Sequence, residues 1–281
     1  MSYDSFYTKV KNSLETYKIE VLGIQEDGLW RGKPYGHILP KQLIKSNFLD
    51  GIPLPPEEMN LHTDAHHLNS SQVLCYNFFR PYSDEHDLHM PKENLFILLN
   101  HFGIKIEYES NAFCAFEYEQ EGDWKGEENN FDFYLKSGNK QCFFEIKYTE
   151  NGFGHFQIEK SSNTRKKKNS DIYYPKIQSS PVLNDSFKTG IITTPNLLAS
   201  NYQIIRNIIR VQDNNCYVVF ITDKNNPYTA SQLNSFKIKY IKKEWSENIL
   251  LITWQDLIFN AKSIAPTRTI QELDKKYFSY L

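Results

Sequence analysis

Three residues have the types and spacing needed for hydrolysis at a phosphate: Asp132, then Glu145 and Lys147, in the order Asp-x12-Glu-x-Lys. On an extended strand, residues two apart point the same way. Glu145 and Lys147 therefore share a face, while Phe144, Ile146 and Tyr148 point into a core. Gly138 and Asn139 supply a hairpin turn between a strand at 131–135 and another at 141–148. The hairpin puts Asp132 on the neighbouring strand, facing opposite to Phe131 and Phe133. Two carboxylates and one ammonium then converge near an exposed strand end. Carboxylates suit Mg2+, a hard cation that keeps several of its waters, so Asp132 and Glu145 are the expected metal ligands. Such an ion polarises a phosphate and lowers the pKa of a bound water. The Lys147 ammonium stabilises charge developing on the phosphate or helps position the attacking water. The competing reading is an ordinary charged pair on an amphipathic strand.

The elements that must position this trio are partly legible. A helix is expected near 4–19, followed to about residue 60 by an irregular wrap with turn signals at Gly32, Pro34, Gly36, Pro53, Pro55 and Pro56. The stretch 68–81 reads as a helix, capped by Asn69 or Ser70 and followed by Pro81. A second helix starts near Pro91. Its Leu95, Leu98, Leu99 and Phe102 form one apolar stripe, and Gly103 ends it. The period then changes to two over 113–119, with Glu117 and Glu119 on one face and Cys114, Phe116 and Tyr118 on the other. Residues 202–211 read as a helix, and the unbroken apolar run 216–222 as a strand covered on both faces, a pattern repeated at 249–253. Helices alternating with such strands imply an α/β core with helices on both sides.

The bulk properties set the limits. The chain has 281 residues, 40% of them hydrophobic, enough for one large domain or two small ones. The formal net charge of −2 excludes nothing, because nucleic acid is met by local charge. Locally, residues 107–128 hold eight acids and one base, and residues 155–180 hold six bases and two acids. An acidic stretch followed by a basic one suits a metal site beside a phosphate-binding surface, or two solvated loops. The four cysteines, at 75, 114, 142 and 216, show no Cys-x-x-Cys spacing, so neither a zinc knuckle nor a redox motif is signalled. Cys114 and Cys142 read as buried thiols. His62, His66 and His67 make a poor ligand set, since the last two are adjacent. No apolar run approaches the roughly 18 residues of a membrane span, and the first ten residues carry no signal-peptide core. A soluble, reduced, cytoplasmic protein is expected, with no membrane contact.

The order acid, hairpin, Glu-x-Lys, then further strands resembles the PD-(D/E)xK nuclease superfamily. The stretches 130–135 and 143–154, with Leu68–Gln72, Asn77–Phe79 and Phe116–Tyr118 upstream, are similar to a bacterial restriction-endonuclease-like subfamily, the one described as PGN_0703-like. The similarity covers about 66–158. Phe131 stands where the superfamily's namesake proline would be. The resemblance implies a restriction-endonuclease-like core, a central mixed β-sheet flanked by helices, in a nuclease domain at 66–281 behind an N-terminal extension at 1–65. It also implies Mg2+ dependence and double-stranded DNA as substrate. Such nucleases usually add an acid from a preceding element. Glu117 fits that place, Glu93 is its rival, and Glu150 could hold a water nearby.

The function expected is a type II restriction endonuclease. It would be a homodimer if its target is palindromic, with a cognate DNA methyltransferase in the same host. The alternatives are a repair, junction-resolving or phage-defence nuclease with little sequence preference, and a catalytically inert DNA-binding module. The expected DNA contacts are Ser70, Ser71 and Gln72 at a helix start, and Arg165, Lys166, Lys167 and Lys168 along a phosphate backbone. Gln157 and Asn163 are candidates for reading base edges. His155 lies just beyond Gly152 and Gly154, glycines that either let DNA approach closely or simply turn the chain.

Overall fold

The strand Cys216–Thr222 (β6) is buried at every position, as its continuous apolar run requires. It belongs to a five-stranded sheet of order β3-β4-β5-β6-β7. The others are β3 (Phe113–Glu119), β4 (Asn130–Ser137), β5 (Lys140–Ile146) and β7 (Ile249–Thr253). Strands β3, β4 and β5 pair antiparallel, while β5, β6 and β7 pair parallel, so the sheet is mixed. This computed structural model describes residues 2–83, 91–119, 130–154, 174–184 and 195–281. Before the sheet come α1 (Tyr3–Glu20), a small hairpin of β1 (Gly28–Trp30) and β2 (Lys33–Tyr35), a 3-10 turn at Lys41–Asn47, α2 (Ser71–Ser83) and α3 (Lys92–His101). Between β5 and β6 lie α4 (Tyr174–Ser179), α5 (Pro195–Ser200) and α6 (Tyr202–Ile208). Helix α7 (Thr229–Tyr240) follows β6, and α8 (Trp254–Ile264) and α9 (Arg268–Phe278) follow β7.

Each face of the sheet closes its own core. Phe133, Leu135, Cys142, Phe144, Ile146 and Tyr148 face the larger one, completed by α1, α2, α3, α8 and α9. The residues before 66 pack into this same core through Phe6, Val10, Leu14 and Leu39. Phe131, Tyr134, Phe143, Val218 and Phe220 face the second core, closed by α6 and α7 through Ile204, Ile205, Ile208, Leu233 and Phe236. The α/β reading with helices on both sides of a mixed sheet therefore holds.

Two strands depart from simple alternation, and they do so at opposed residues. Phe116 packs on the larger core but Tyr118 on the second, so the expected shared face of Cys114, Phe116 and Tyr118 is split. Phe131 and Phe133 are split in the same way. The β3–β4 register places Phe116 against Phe133 and Tyr118 against Phe131, with Glu117 and Asp132 left facing each other between them. Glu117 takes the left-handed conformation, with φ 48°, which turns the strand over. A side chain in that region costs roughly 1–2 kcal/mol, so the sheet is strained where its two acids meet.

Other differences have local causes. Helix α2 runs through Pro81 to Ser83, because Tyr82 is fully buried and its ring meets Phe78 at 5.6 Å. Cys114 is only partly buried and β7 is partly exposed, since β3 and β7 are the sheet's edges. At the hairpin, Gly138 has φ 54°, as the tight turn between Ser137 and Lys140 demands.

Helix α2 crosses beneath β4 and β5 through Phe79, whose ring stacks on Phe133 at 4.2 Å and meets Phe144 at 5.3 Å. Truncating this fully buried ring with Phe79→Ala should destabilise the fold by about 3–5 kcal/mol, read as a lower urea midpoint. An unchanged midpoint would show that α2 is not seated on the sheet as described.

Candidate active site

The β4–β5 ladder ends at the pair Phe133–Phe144. The next opposed pair would be Asp132 and Glu145, and there β4 leaves β5. The Asp132 carboxylate fills the gap: its Oδ2 accepts the backbone N–H of Ile146 at 2.6 Å. Strand β5 stays paired with β6 through Glu145 and Ile146, and the Lys147 N–H still donates to the Ile221 carbonyl at 2.8 Å. Glu145 and Lys147 are thereby held on a central strand, with Phe144, Ile146 and Tyr148 in the larger core as the alternation predicts.

Glu145 is nearly enclosed, at 2% exposed, and Lys147, Gln203 and Asn207 all donate to it. The Lys147 ammonium lies 2.7 Å from its Oε1. The Gln203 amide donates to the same Oε1 at 2.6 Å, and the Asn207 amide donates to Oε2 at 2.8 Å. Both amides project from α6. On the opposite side, Gln72 of α2 donates to Glu117 Oε1 at 2.8 Å, and its own oxygen accepts the His62 backbone N–H at 2.8 Å. The Cys75 thiol, one turn along α2, donates to the Asp132 carbonyl at 3.5 Å. Glu150 folds back so that its Oε2 accepts the Tyr148 N–H at 2.6 Å. Asn226 braces this turn by donating to the Glu150 carbonyl at 2.8 Å.

The charges act on one another. Burial, then repulsion from Glu145, pushes the Asp132 carboxyl well above its ordinary range, against the pull of Lys147. Burial also raises Glu117, opposed by the Gln72 amide and by His62. For Lys147, burial works against the charged form, but Glu145, Glu150 and Asp132 outweigh it and hold the amine above its usual value. Burial, reinforced by Asp132, Glu117 and Glu145, keeps the Cys75 thiol protonated. Three carboxylates around one ammonium make a site short of positive charge. Hard oxygen donors with that deficit suit a divalent cation, and Asp132 and Glu145 are the residues that could hold one. Among the described residues, no group of three or more His, Cys, Asp or Glu side chains is placed so that it could hold a metal ion.

The expected residues are distributed as follows. Asp132, Glu145, Lys147 and Glu117 are brought together. Glu93 is exposed in the first turn of α3 and is not among the charges acting on Asp132. Ser70 uses its hydroxyl to cap α2, accepting the Val73 N–H at 3.4 Å. Gln72 is buried and points at Glu117, not outward as a phosphate contact would. Ser71 opens α2 beside it, and Asn69 reaches the Thr149 hydroxyl at 2.8 Å, which sets this helix start against the chain leaving β5. Gly152 turns the chain with φ 89°. His66 and His67 pack ring against ring at 4.6 Å. His155, Gln157, Asn163, Arg165, Lys166, Lys167 and Lys168 lie outside the described residues. Gln203 and Asn207 escape a sequence reading that sees α6 only as an isoleucine stripe. The signal was two amides four residues apart on a helix otherwise rich in isoleucine.

A mixed sheet that brings acids and one amine to a parting of two strands defines an α/β protein with an acidic, lysine-bearing centre. The family described as "Restriction Endonuclease associating with ARP" matches residues 11–278, and the chain belongs to that family. Membership supports a nuclease role and implies DNA as the substrate. The resemblance carried by residues 66–158 thus holds at the level of a restriction-endonuclease family, and the match extends to nearly the whole chain. No curated protein and no solved structure matches it. No described helix is long and apolar enough to cross a membrane.

A carboxyl whose folded pKa lies above its unfolded value contributes stability at low pH, and loses it as pH rises through the folded value. Asp132 is such a group. The Asp132→Asn variant keeps an acceptor for the Ile146 N–H and removes the charge. At pH 8 with a chelator it should melt higher than the parent, by about 2–4 °C for each kcal/mol gained. That advantage should shrink as pH falls toward 4, and an equal or lower melting point at pH 8 would contradict the electrostatic reading.

Proposed function

We propose that the protein is a divalent-metal-dependent DNA endonuclease of the PD-(D/E)xK type with a restriction-endonuclease-like core, acting on double-stranded DNA as a type II restriction enzyme. The observation that carries this is the parting of β4 and β5. There Asp132 bonds to the backbone of Ile146, and Lys147 pairs with Glu145 at 2.7 Å. Asp132 and Glu145 would hold Mg2+, with Glu117 the further acid of the centre. The bound ion would supply a polarised phosphate and a water of lowered pKa.

The chain's own residues supply the remainder. Asp132 and Glu145 stand one residue beyond the last β4–β5 pair, and the bond from the Ile146 N–H to Asp132 ties the two together where the backbone pairing ends. Lys147 keeps its proton, because the surrounding carboxylates outweigh its burial. Its ammonium is thus available as a fixed positive charge beside a scissile phosphate, where developing negative charge is worth most to stabilise. The enclosure of Glu145 by α6 keeps solvent off one side of the centre. On this reading a palindromic target would call for a homodimer. A cytoplasmic enzyme of this kind would need a partner methyltransferase to mark its host's DNA.

Lys147→Met and Asp132→Asn should each lower plasmid cleavage in Mg2+ by at least about 10²-fold. DNA affinity measured in Ca2+ should be retained. Discrete fragments from the parent enzyme support restriction, whereas a smear supports a repair or defence nuclease with little sequence preference. Parent protein that binds DNA without cutting it in Mg2+ or Mn2+ would show an inert binding module and remove the proposal.

A further inference from the structure

We propose that Gln203 and Asn207 form an amide clamp that orients Glu145 toward a divalent cation, with Gln203 acting as a positioning residue that also fastens the chain at Gly154. This rests on the reading of Glu145 as a metal ligand. The two amides sit four residues apart on α6 and so share a face. They engage different oxygens of the carboxylate, Gln203 on Oε1 and Asn207 on Oε2. Two donors on two oxygens fix the plane of the carboxylate as well as its position, which the Lys147 ammonium alone would leave free to turn. The helix cannot rotate away, because Ile204, Ile205 and Ile208 are fully buried in the second core.

The orientation of each amide is set by its surroundings. Gln203 Oε1 accepts the Gly154 N–H at 2.9 Å, so its amino end must face Glu145. Asn207 is fully buried, and its Oδ1 has no hydrogen-bond partner. A buried acceptor without a donor is costly, and turning the amide over would set that oxygen against a carboxylate. The cost is therefore accepted in order to donate to Glu145. Packing alone would be served better by an apolar side chain of the same size. Groups that orient a metal ligand in this way characteristically change cation affinity, not only stability.

Gln232 provides a built-in control. Its Oε1 accepts the Phe153 N–H at 2.8 Å and its amino end donates to the Ser200 carbonyl at 3.0 Å, so it braces the same turn without touching Glu145. The experiment measures Mn2+ binding to the full chain by the electron paramagnetic resonance signal of free Mn2+, without DNA, alongside cleavage in Mg2+ and DNA affinity in Ca2+. Gln203→Met should weaken Mn2+ binding by about 10–100-fold, with a matching rise in the Mg2+ needed for half-maximal cleavage. Its DNA affinity in saturating Ca2+ should stay close to the parent's, and its melting temperature should fall about as far as that of Gln232→Met, which also loses a bond to this turn. Asn207→Leu should weaken Mn2+ in the same sense, while Gln232→Met should bind Mn2+ as the parent does. Parent-like Mn2+ binding by Gln203→Met, or an equal loss in Gln232→Met, would overturn the clamp and leave the nuclease reading standing. A parent protein that neither binds Mn2+ nor cleaves DNA would remove both.

Discussion

The structure turns on a carboxylate doing the work of a backbone carbonyl. Where β4 parts from β5, the Ile146 N–H would lose its ladder partner, and Asp132 Oδ2 takes that place at 2.6 Å. A buried backbone donor left without a partner would be costly, so the sheet can open here only because a side-chain oxygen stands at this position to accept it. The same contact fixes Asp132 one pair beyond Phe133–Phe144, opposite Glu145. The opening and the meeting of acids are thus one event. It propagates sideways into β3, where Glu117 adopts a left-handed backbone opposite Asp132 and the strand turns over.

The electrostatic character follows from that geometry. Burial raises the proton affinity of Asp132 and Glu117, and repulsion from Glu145 adds to it. Lys147 shifts in the same direction and holds its proton more firmly, because the carboxylates around it favour its charged form. Strain at Glu117 and repulsion around Asp132 both oppose folding. The large core beneath, with Phe79, Phe133 and Phe144 in contact, carries that burden. Costs of this kind tend to gather at functional sites. Here they gather at the residues whose types suit phosphate chemistry.

Much of this was legible in the residues, and what was not has physical reasons. The spacing Asp-x12-Glu-x-Lys with a Gly-Asn turn was enough to set Asp132 beside Glu145, because hairpin pairing is local. The buried strands β5 and β6 were visible as apolar runs. The faces of β3 and β4 were misassigned, since alternation presumes unbroken strands and both break at Glu117 and Asp132. Gln72 read as a phosphate contact because it sits at a helix start. Tertiary packing turns it inward to Glu117 instead. The spacing of the α6 amides was visible but their role was not, because it depends on a contact across 58 and 62 residues of sequence. Helices α8 and α9 carry a signal as plain as that of α3, with Trp254, Leu257, Ile258 and Ala261, then Ile270, Leu273 and Tyr277, buried at helical spacing.

The central claim is that the parted strands hold a divalent ion between an aspartate and a glutamate. The most direct measurement is a crystal of the full chain soaked in Mn2+, with the metal located by its anomalous scattering. The account predicts a peak roughly 2 Å from carboxylate oxygens of both Asp132 and Glu145, with the Lys147 amine displaced from Glu145 or sharing it. A Mn2+-saturated crystal whose only peaks lie elsewhere on the molecule would contradict it.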